Sequence, residues 1–268
     1  MPELPEIETV KKGMQVNIGA KITNIEIYRE DIIKAKDFDS SELYGQTISN
    51  IRRRGKFLIF NLEKDYNVIF HLGMSGRFYM IDASEEISEK HVHIVIHLDN
   101  QKKLLYQDTR RFGGVWLVKD LFAFFTKMGV EPLTKDFNAD YLYKITRKRK
   151  IAIKSLILNQ HLIAGIGNIY ADESLFMAGI RPDKKAGLLT FDEADKLCKA
   201  IKQVLKNAIK ERGTTFSDFR DSYNQLGNYQ NFLQIYGRTN EKCFNCDTLL
   251  ERQKIGGRSS HYCPKCQQ

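Results

Sequence analysis

The chain opens Met-Pro-Glu-Leu-Pro-Glu, which sets Glu3 and Glu6 close to Pro2. Removal of an initiator methionine ahead of a small residue would leave Pro2 with a free secondary amine. An α-amino group titrates near ~7.7–8.0, against ~10.4 for lysine, so a sizeable neutral fraction exists at physiological pH. A neutral amine can attack an electrophilic carbon and form an iminium. Two neighbouring carboxyls could carry the proton traffic of that reaction. The same residues also suit a helix start, with a proline in the first turn and acids at the positive end. Taken alone, that plainer use is the more ordinary one.

A second chemistry lies at the other end. Cys243-Phe-Asn-Cys246 and Cys263-Pro-Lys-Cys266 are two C-x-x-C pairs enclosing residues 247 to 262. That is zinc-ribbon spacing: each pair clasps one side of a tetrahedral ion and the intervening chain forms a hairpin. Four thiolates leave no open coordination position, so the predicted cofactor is one structural Zn2+. Cys198, in an amphipathic stretch, reads as an ordinary buried helix residue. Between the cysteine pairs, Gly256 and Gly257 can make a tight turn that projects Arg258.

Weaker candidates lie between these ends. Lys56 follows a glycine and three arginines in RRRGKFLIF; it could be an acid, a base or a phosphate clamp, or simply a solvated strand end. HLGMSG carries Met74, and DTRRFGG carries Arg110 and Phe112, on glycine-bounded turns. Such side chains can wedge between base steps or fill the hole left by a flipped nucleotide; the alternative is that Met74 and Phe112 fold back into the core. His91, His93 and His97 recur on one strand face, without evident partners for a metal. AGIGN leads through Asn168 into a helix, a place where free N–H groups can hold phosphate. The basic run Arg147 to Lys150 would ordinarily be a solvated helix face.

These residues need elements to hold them. ELPEIETVKKGM predicts a short helix with Ile7, Val10 and Met14 on one face. From about residue 20 to 118 short strand-like runs dominate, including HVHIVIHLD with Val92, Ile94, Ile96 and Leu98 on one face, and they suggest a two-layer β-sandwich. From about residue 120 the period becomes helical, in LFAFFTKMG, KRKIAIKSLILNQ, ADESLFMAGI and FDEADKLCKAIKQVLKNAIKERG. A break near EPLTKDFNAD reads as a hinge. The polar segment GTTFSDFRDSYNQLGNYQNF reads as a long functional or mobile loop.

Composition narrows the partner. The 268 residues suggest two domains, and 42 Lys+Arg against 33 Asp+Glu give a net charge of +9, which favours a polyanion, nucleic acid first. No apolar run is long enough to span a bilayer and no secretory layout opens the chain, so a soluble, cytoplasmic, nucleoid-associated protein is expected.

In order along the chain, MPELPE, GKFLIF, HLGMSG, DTRRFG, GIGNIYADE and the terminal GRSSHYCPKCQ strongly resemble bacterial formamidopyrimidine-DNA glycosylase, from the first residue to the last. The sister family, endonuclease VIII, typically has glycine where Leu4 stands. The resemblance implies an α+β fold: an N-terminal helix and β-sandwich over residues 1–132, a hinge at 133–145, a helical domain with a helix–two-turn–helix motif over 146–234, and a zinc-finger hairpin over 235–268. It implies a monomer that binds damaged double-stranded DNA across the cleft between domains. Its activity would be excision of oxidised purines followed by β,δ-elimination. Pro2 would be the nucleophile at C1′, Glu3 the proton donor and Glu6 a supporting acid. Lys56 would serve β-elimination and phosphate binding, and Arg258 phosphate binding and δ-elimination. Met74, Arg110 and Phe112 match the void-filling trio, with Arg110 opposite the estranged cytosine, while His71, His91, Arg149 and Asn168 fall at further DNA contacts. Arg149 stands where lysine is common. The loop RDSYNQLGNYQNF stands where the family caps the flipped base, a segment that varies within the family. The rival functions are an oxidised-pyrimidine glycosylase and a non-catalytic zinc-bearing DNA-binding protein.

Overall fold

The computed structural model describes residues 1–268. The chain separates into two compact units, Met1–Thr126 with Glu211–Gln230, and Lys127–Lys210 with Asn231–Gln268. No helix is long and apolar enough to cross a membrane.

The first unit starts with helix α1 (Leu4–Met14). Two sheets follow. One has four strands in the order β1 (Ile22–Ile27), β7 (Val92–Leu98), β8 (Lys102–Asp108), β6 (Gly76–Asp82). The other has five, in the order β2 (Ile33–Lys36), β9 (Gly114–Val118), β5 (Asn67–His71), β4 (Phe57–Leu62), β3 (Ile48–Arg54). Period-two alternation sends Phe60, Phe70 and Val115 inward from one sheet and Phe78, Ile94 and Tyr106 from the other, and Ile7, Val10 and Met14 of α1 join the same core. Rings tie the layers together: Phe70 lies 4.4 Å from Phe78 and Phe60 lies 5.4 Å from it, centroid to centroid.

Both outer faces are partly covered too. Ile59, Ile69 and Val118 pack under Leu121, Phe124 and Phe125 of the short helix α2 (Leu121–Phe125). On the other sheet, Val95 joins Tyr79, Leu105 and Val92 in a separate cluster. The expected grouping of Val92 with Ile94, Ile96 and Leu98 therefore fails at its first member. The register between β7 and β8 shifts between Val92 and Ile94, and a bulge of that kind turns the preceding side chain to the opposite face.

The second unit is helical. Helix α6 (Phe191–Lys210) buries Leu197, Ile201, Val204, Leu205 and Ala208, an i, i+4, i+7 stripe, against α5 (Asn168–Ala178) and α3 (Ala139–Thr146). Cys198 belongs to this buried side, its thiol 3.7 Å from the Phe137 carbonyl. Helix α5 is buried almost all round and ends at Gly179, whose φ of +70° closes the helix in the left-handed conformation. The hairpin β10 (Glu251–Ile255) and β11 (Arg258–Tyr262) completes the unit.

Three expectations about organisation change. Residues 139–145, expected within a hinge, belong to α3 and pack on α6. Residues 211–230, expected in the helical domain, belong to the first unit, because Phe219 enters the sandwich core and the Ser222 carbonyl accepts from the Met80 N–H of β6 at 3.1 Å. The run 147–150 is not a helix face: α3 stops at Thr146, Lys148 has φ +60°, and the next helix, α4, spans Ile153–Ile157. Arg147 folds back onto the Tyr143 ring at 3.9 Å and donates to the Leu189 carbonyl at 2.5 Å, whereas Lys148, Arg149 and Lys150 are exposed cations, Arg149 with its Nε on the Ile145 carbonyl.

Candidate active site and metal centre

Pro2, Glu3 and Glu6 are all buried. Glu3 is the N-cap of α1 and forms a reciprocal capping box with Glu6: its carboxylate accepts from the Glu6 N–H, while Glu6 Oε2 accepts from the Glu3 N–H at 2.7 Å. A helix start explains that much. It does not explain Glu6 Oε1, which accepts the Thr214 N–H at 2.7 Å, 208 residues away in sequence. Gly213 makes this approach possible, since its φ is +80° and a Cβ there would lie 2.7 Å from Glu6 Oε1. Glu6 thus joins the N-terminus to the start of the 214–228 loop, and burial of its charge is offset by backbone donors and the positive end of the helix.

Lys56 sits in the two-residue turn between β3 and β4, closed by the Arg54–Phe57 pair, with Gly55 at φ +57°. It is 7% exposed, which rules out a solvated strand end. Its charge is felt by His71 at the end of β5. Burial first, and Lys56 second, push the imidazole from 6.5 down to about 4, with Asp108 opposing. The Gly73 N–H donates to His71 Nδ1 at 3.2 Å, which requires that nitrogen to be unprotonated.

The two glycine-bounded turns do present their side chains. Met74 is 41% and Phe112 64% exposed, so neither folds into the core. Arg110 lies 6.0 Å from the Phe112 ring and 3.4 Å from Asp218. Beneath them Asp108, fully buried, accepts from Ser75 Oγ at 2.6 Å and from the Gly113 N–H at 2.8 Å. Neither Asp108 nor Ser75 was among the sequence candidates. The three histidines separate: His91 is exposed at φ +65°, His93 Nε2 meets the Asp108 carbonyl at 2.8 Å, and His97 pairs with Glu26.

In the second unit α5 starts at Asn168 after Gly167, and Asn168 Nδ2 donates to the Ser259 carbonyl at 3.0 Å. Lys154 donates to the same carbonyl at 2.8 Å and lies 2.6 Å from Asp172 Oδ1, both side chains being fully buried. Asp172 Oδ2 accepts the His261 N–H at 2.9 Å. Asn168 and the residues around Arg258 are therefore brought together by a buried ionic group that sequence reasoning missed. Its signal was a lysine and an aspartate inside the apolar runs IAIKSLIL and NIYADESLF. Gly256 and Gly257, at φ +54° and +80°, make the two-residue turn of a β-hairpin, and Arg258 stands exposed beside it.

The four cysteine sulfurs lie within 4.8 Å of one another. Cys243–Cys266 is 3.8 Å, Cys246–Cys263 3.5 Å and Cys246–Cys266 3.3 Å. A tetrahedral Zn–S4 centre with bonds of about 2.3 Å has edges of about 3.8 Å, so the donors fit one zinc ion. The Asn245 and Cys266 N–H groups point at Cys243 and Cys263 sulfurs, each at 3.4 Å, as expected around thiolates.

Comparison with known proteins accords with this anatomy. Three family models match in order: the formamidopyrimidine-DNA glycosylase N-terminal domain over residues 1–115, the formamidopyrimidine-DNA glycosylase H2TH domain over 128–220, and a zinc finger found in FPG and IleRS over 240–268. A formamidopyrimidine-DNA glycosylase from Syntrophomonas wolfei is 54% identical over all of both chains. One from Rickettsia felis is 42% identical over 100% of this chain and 98% of its own. Among solved structures, a mutant Lactococcus lactis FPG with Fapy-dG-containing DNA superposes with a TM-score of 0.93 at 37% identity, covering 100% of both chains. The Lactococcus lactis protein with abasic-site DNA gives 0.90 at 35%, covering 99% of both.

Proposed function

The chain belongs to the formamidopyrimidine-DNA glycosylase family, an enzyme family of DNA glycosylases with AP lyase activity that act on damaged DNA, and on that footing we propose that it excises oxidised purines such as 8-oxoguanine and formamidopyrimidines through Pro2. The observation that carries the proposal is the buried pair Glu3 and Glu6 beside Pro2, with Glu6 held from two sides by the Glu3 and Thr214 N–H groups.

With Met1 removed, the Pro2 nitrogen attacks C1′ of the flipped nucleotide. The bond from C1′ to the base breaks and its electron pair leaves with the base. The sugar ring opens, O4′ taking a proton from Glu3, and the C1′–N bond becomes an iminium. The iminium acidifies the 2′ proton. Its loss expels the 3′ phosphate, a step in which Lys56 serves as base or phosphate partner, and a second elimination expels the 5′ phosphate with Arg258 on that oxygen. Hydrolysis of the imine returns Pro2. Glu6 holds the N-terminus in place. Met74, Arg110 and Phe112 fill the vacated stack, and His71, His91, Arg149 and Asn168 are proposed DNA contacts. The protein would act as a monomer on duplex DNA in the cytoplasm, at the nucleoid.

Borohydride trapping tests this. A duplex with 8-oxoguanine opposite cytosine should give a covalent adduct that disappears in Pro2→Gly and when an N-terminal extension acylates Pro2, with DNA binding retained. No adduct from intact, zinc-loaded protein would instead support a non-catalytic DNA-binding role. Oxidised pyrimidines form a second substrate class, favoured by a Lactococcus lactis FPG structure with oxidised-pyrimidine DNA. Excision of thymine glycol faster than 8-oxoguanine would put that class first.

A further inference from the structure

Asp108 ends β8 with no exposed surface. Four hydrogen bonds converge on it. Its Oδ1 accepts from Ser75 Oγ at 2.6 Å and from the Arg110 N–H at 3.3 Å, its Oδ2 accepts from the Gly113 N–H at 2.8 Å, and its carbonyl meets His93 Nε2 at 2.8 Å. Ser75 Oγ also accepts the Arg110 N–H, at 3.1 Å. Ser75 follows Met74; Arg110 and Gly113 bracket Phe112. One carboxylate therefore touches both turns, next to each of the three exposed side chains.

The backbones themselves are in contact. A Cβ on Gly73 would lie 2.4 Å from the Gly113 nitrogen, and one on Gly113 would lie 2.3 Å from the His71 carbonyl. The Tyr106 hydroxyl, beneath Gly113, donates to that His71 carbonyl at 3.2 Å. Neither turn can shift without moving the other or breaking a bond to Asp108. Ser75 Oγ and the backbone N–H groups of Arg110 and Gly113 all donate to the carboxylate, so an ionised acid suits the site and an amide would set its NH2 against one of the two N–H groups.

We propose that Asp108, through Ser75, is a positioning residue that locks Met74, Arg110 and Phe112 into one rigid reading head, so that discrimination of the base opposite the lesion depends on a buried carboxylate that never touches DNA. This rests on the assignment of those three residues to the vacated stack, made above.

The measurement is the ratio of single-turnover excision rates for 8-oxoguanine opposite cytosine and opposite adenine. Ser75→Ala removes the bridge between the turns and leaves the carboxylate its backbone donors; it should lower the ratio roughly tenfold or more, the worth of one buried hydrogen bond to a charged group, while the melting temperature falls by only several degrees. Ser75→Thr, which keeps the hydroxyl, should restore the ratio. Asp108→Asn should lower it further. If Asp108→Asn fails to fold, Ser75→Ala alone decides. Arg110→Ala separates the two assignments. If it leaves the ratio unchanged, the reading-head assignment itself fails. If it changes the ratio while Ser75→Ala does not, the positioning role of Asp108 fails alone. In the Arg110→Ala background, Ser75→Ala should have no further effect on the ratio, and an additive effect there would overturn the proposal.

Discussion

Two exposed arginines, Arg110 and Arg258, are presented in opposite ways. Arg110 stands on a turn of a sandwich that has a large core of its own, and a local clamp, Asp108 with Ser75, suffices to hold it. Arg258 stands on a hairpin whose apolar support is small: Phe176, Ile235, Leu250 and the buried ligands Cys243 and Cys263. A segment of that size cannot hold itself by burial, so a metal and a buried ion pair replace the core. Rigidity is needed in both places, and the local supply of apolar surface decides what provides it.

Removing the metal should break the comparison at its larger side. Chelation, or Cys263→Ser, should weaken lesion-duplex binding by roughly two orders of magnitude, read by fluorescence anisotropy, while the β signal in circular dichroism persists. Full binding and nicking by metal-free protein would show that the hairpin needs no zinc. Next in size is Lys154→Met, which strands a buried Asp172 carboxylate and should cost about 3–5 kcal/mol in urea unfolding. A cost below about 1 kcal/mol would mean that zinc alone orders the hairpin.

The zinc ligands were legible because C-x-x-C pairs bring their sulfurs together within a few residues, and the Gly256-Gly257 turn is equally local. The order of helix, strands and helices followed from the change of period, the hairpin from the cysteine spacing, and the α+β class from the family resemblance. Asp108 and Ser75 were not legible, since their bond spans 33 residues and neither type is unusual at a strand end. Glu6 showed its place beside Pro2 but not its second partner, Thr214, which only tertiary structure supplies. Val92 was misplaced by a bulge that alternation cannot foresee. The segment 211–230 was placed in the helical domain by the family resemblance, and loop residues without a period offer nothing to correct that, although Phe219 belongs to the sandwich core.

His71 tests the clamp from the sandwich side. Its folded-state value of about 4 lies below the ordinary 6.5, so the unfolded chain takes up the proton first. Stability is therefore full above pH ~6.5 and is lost as pH falls toward ~4, by about 3 kcal/mol for this group. His71→Gln keeps an acceptor for the Gly73 N–H and removes the titration, so its acid limb between those values should be flatter in urea melts taken across pH. Parallel limbs would mean that His71 is not held neutral beneath the two turns.

The smallest effect belongs to Asp218. Its contact with Arg110, at 3.4 Å between side chains 43% and 48% exposed, is an open surface pair, worth less than about 1 kcal/mol. If Asp108 fixes the turn from below, Asp218→Ala should leave the melting temperature unchanged. It should tighten duplex binding by less than about threefold at low salt, through loss of one negative charge near the DNA, and the gain should fade as salt screens it. A tenfold change that survives high salt would mean that the surface pair, and not the buried carboxylate, sets the orientation of Arg110. The two arginines would then differ in more than the size of the core beneath them, because one would be held from above.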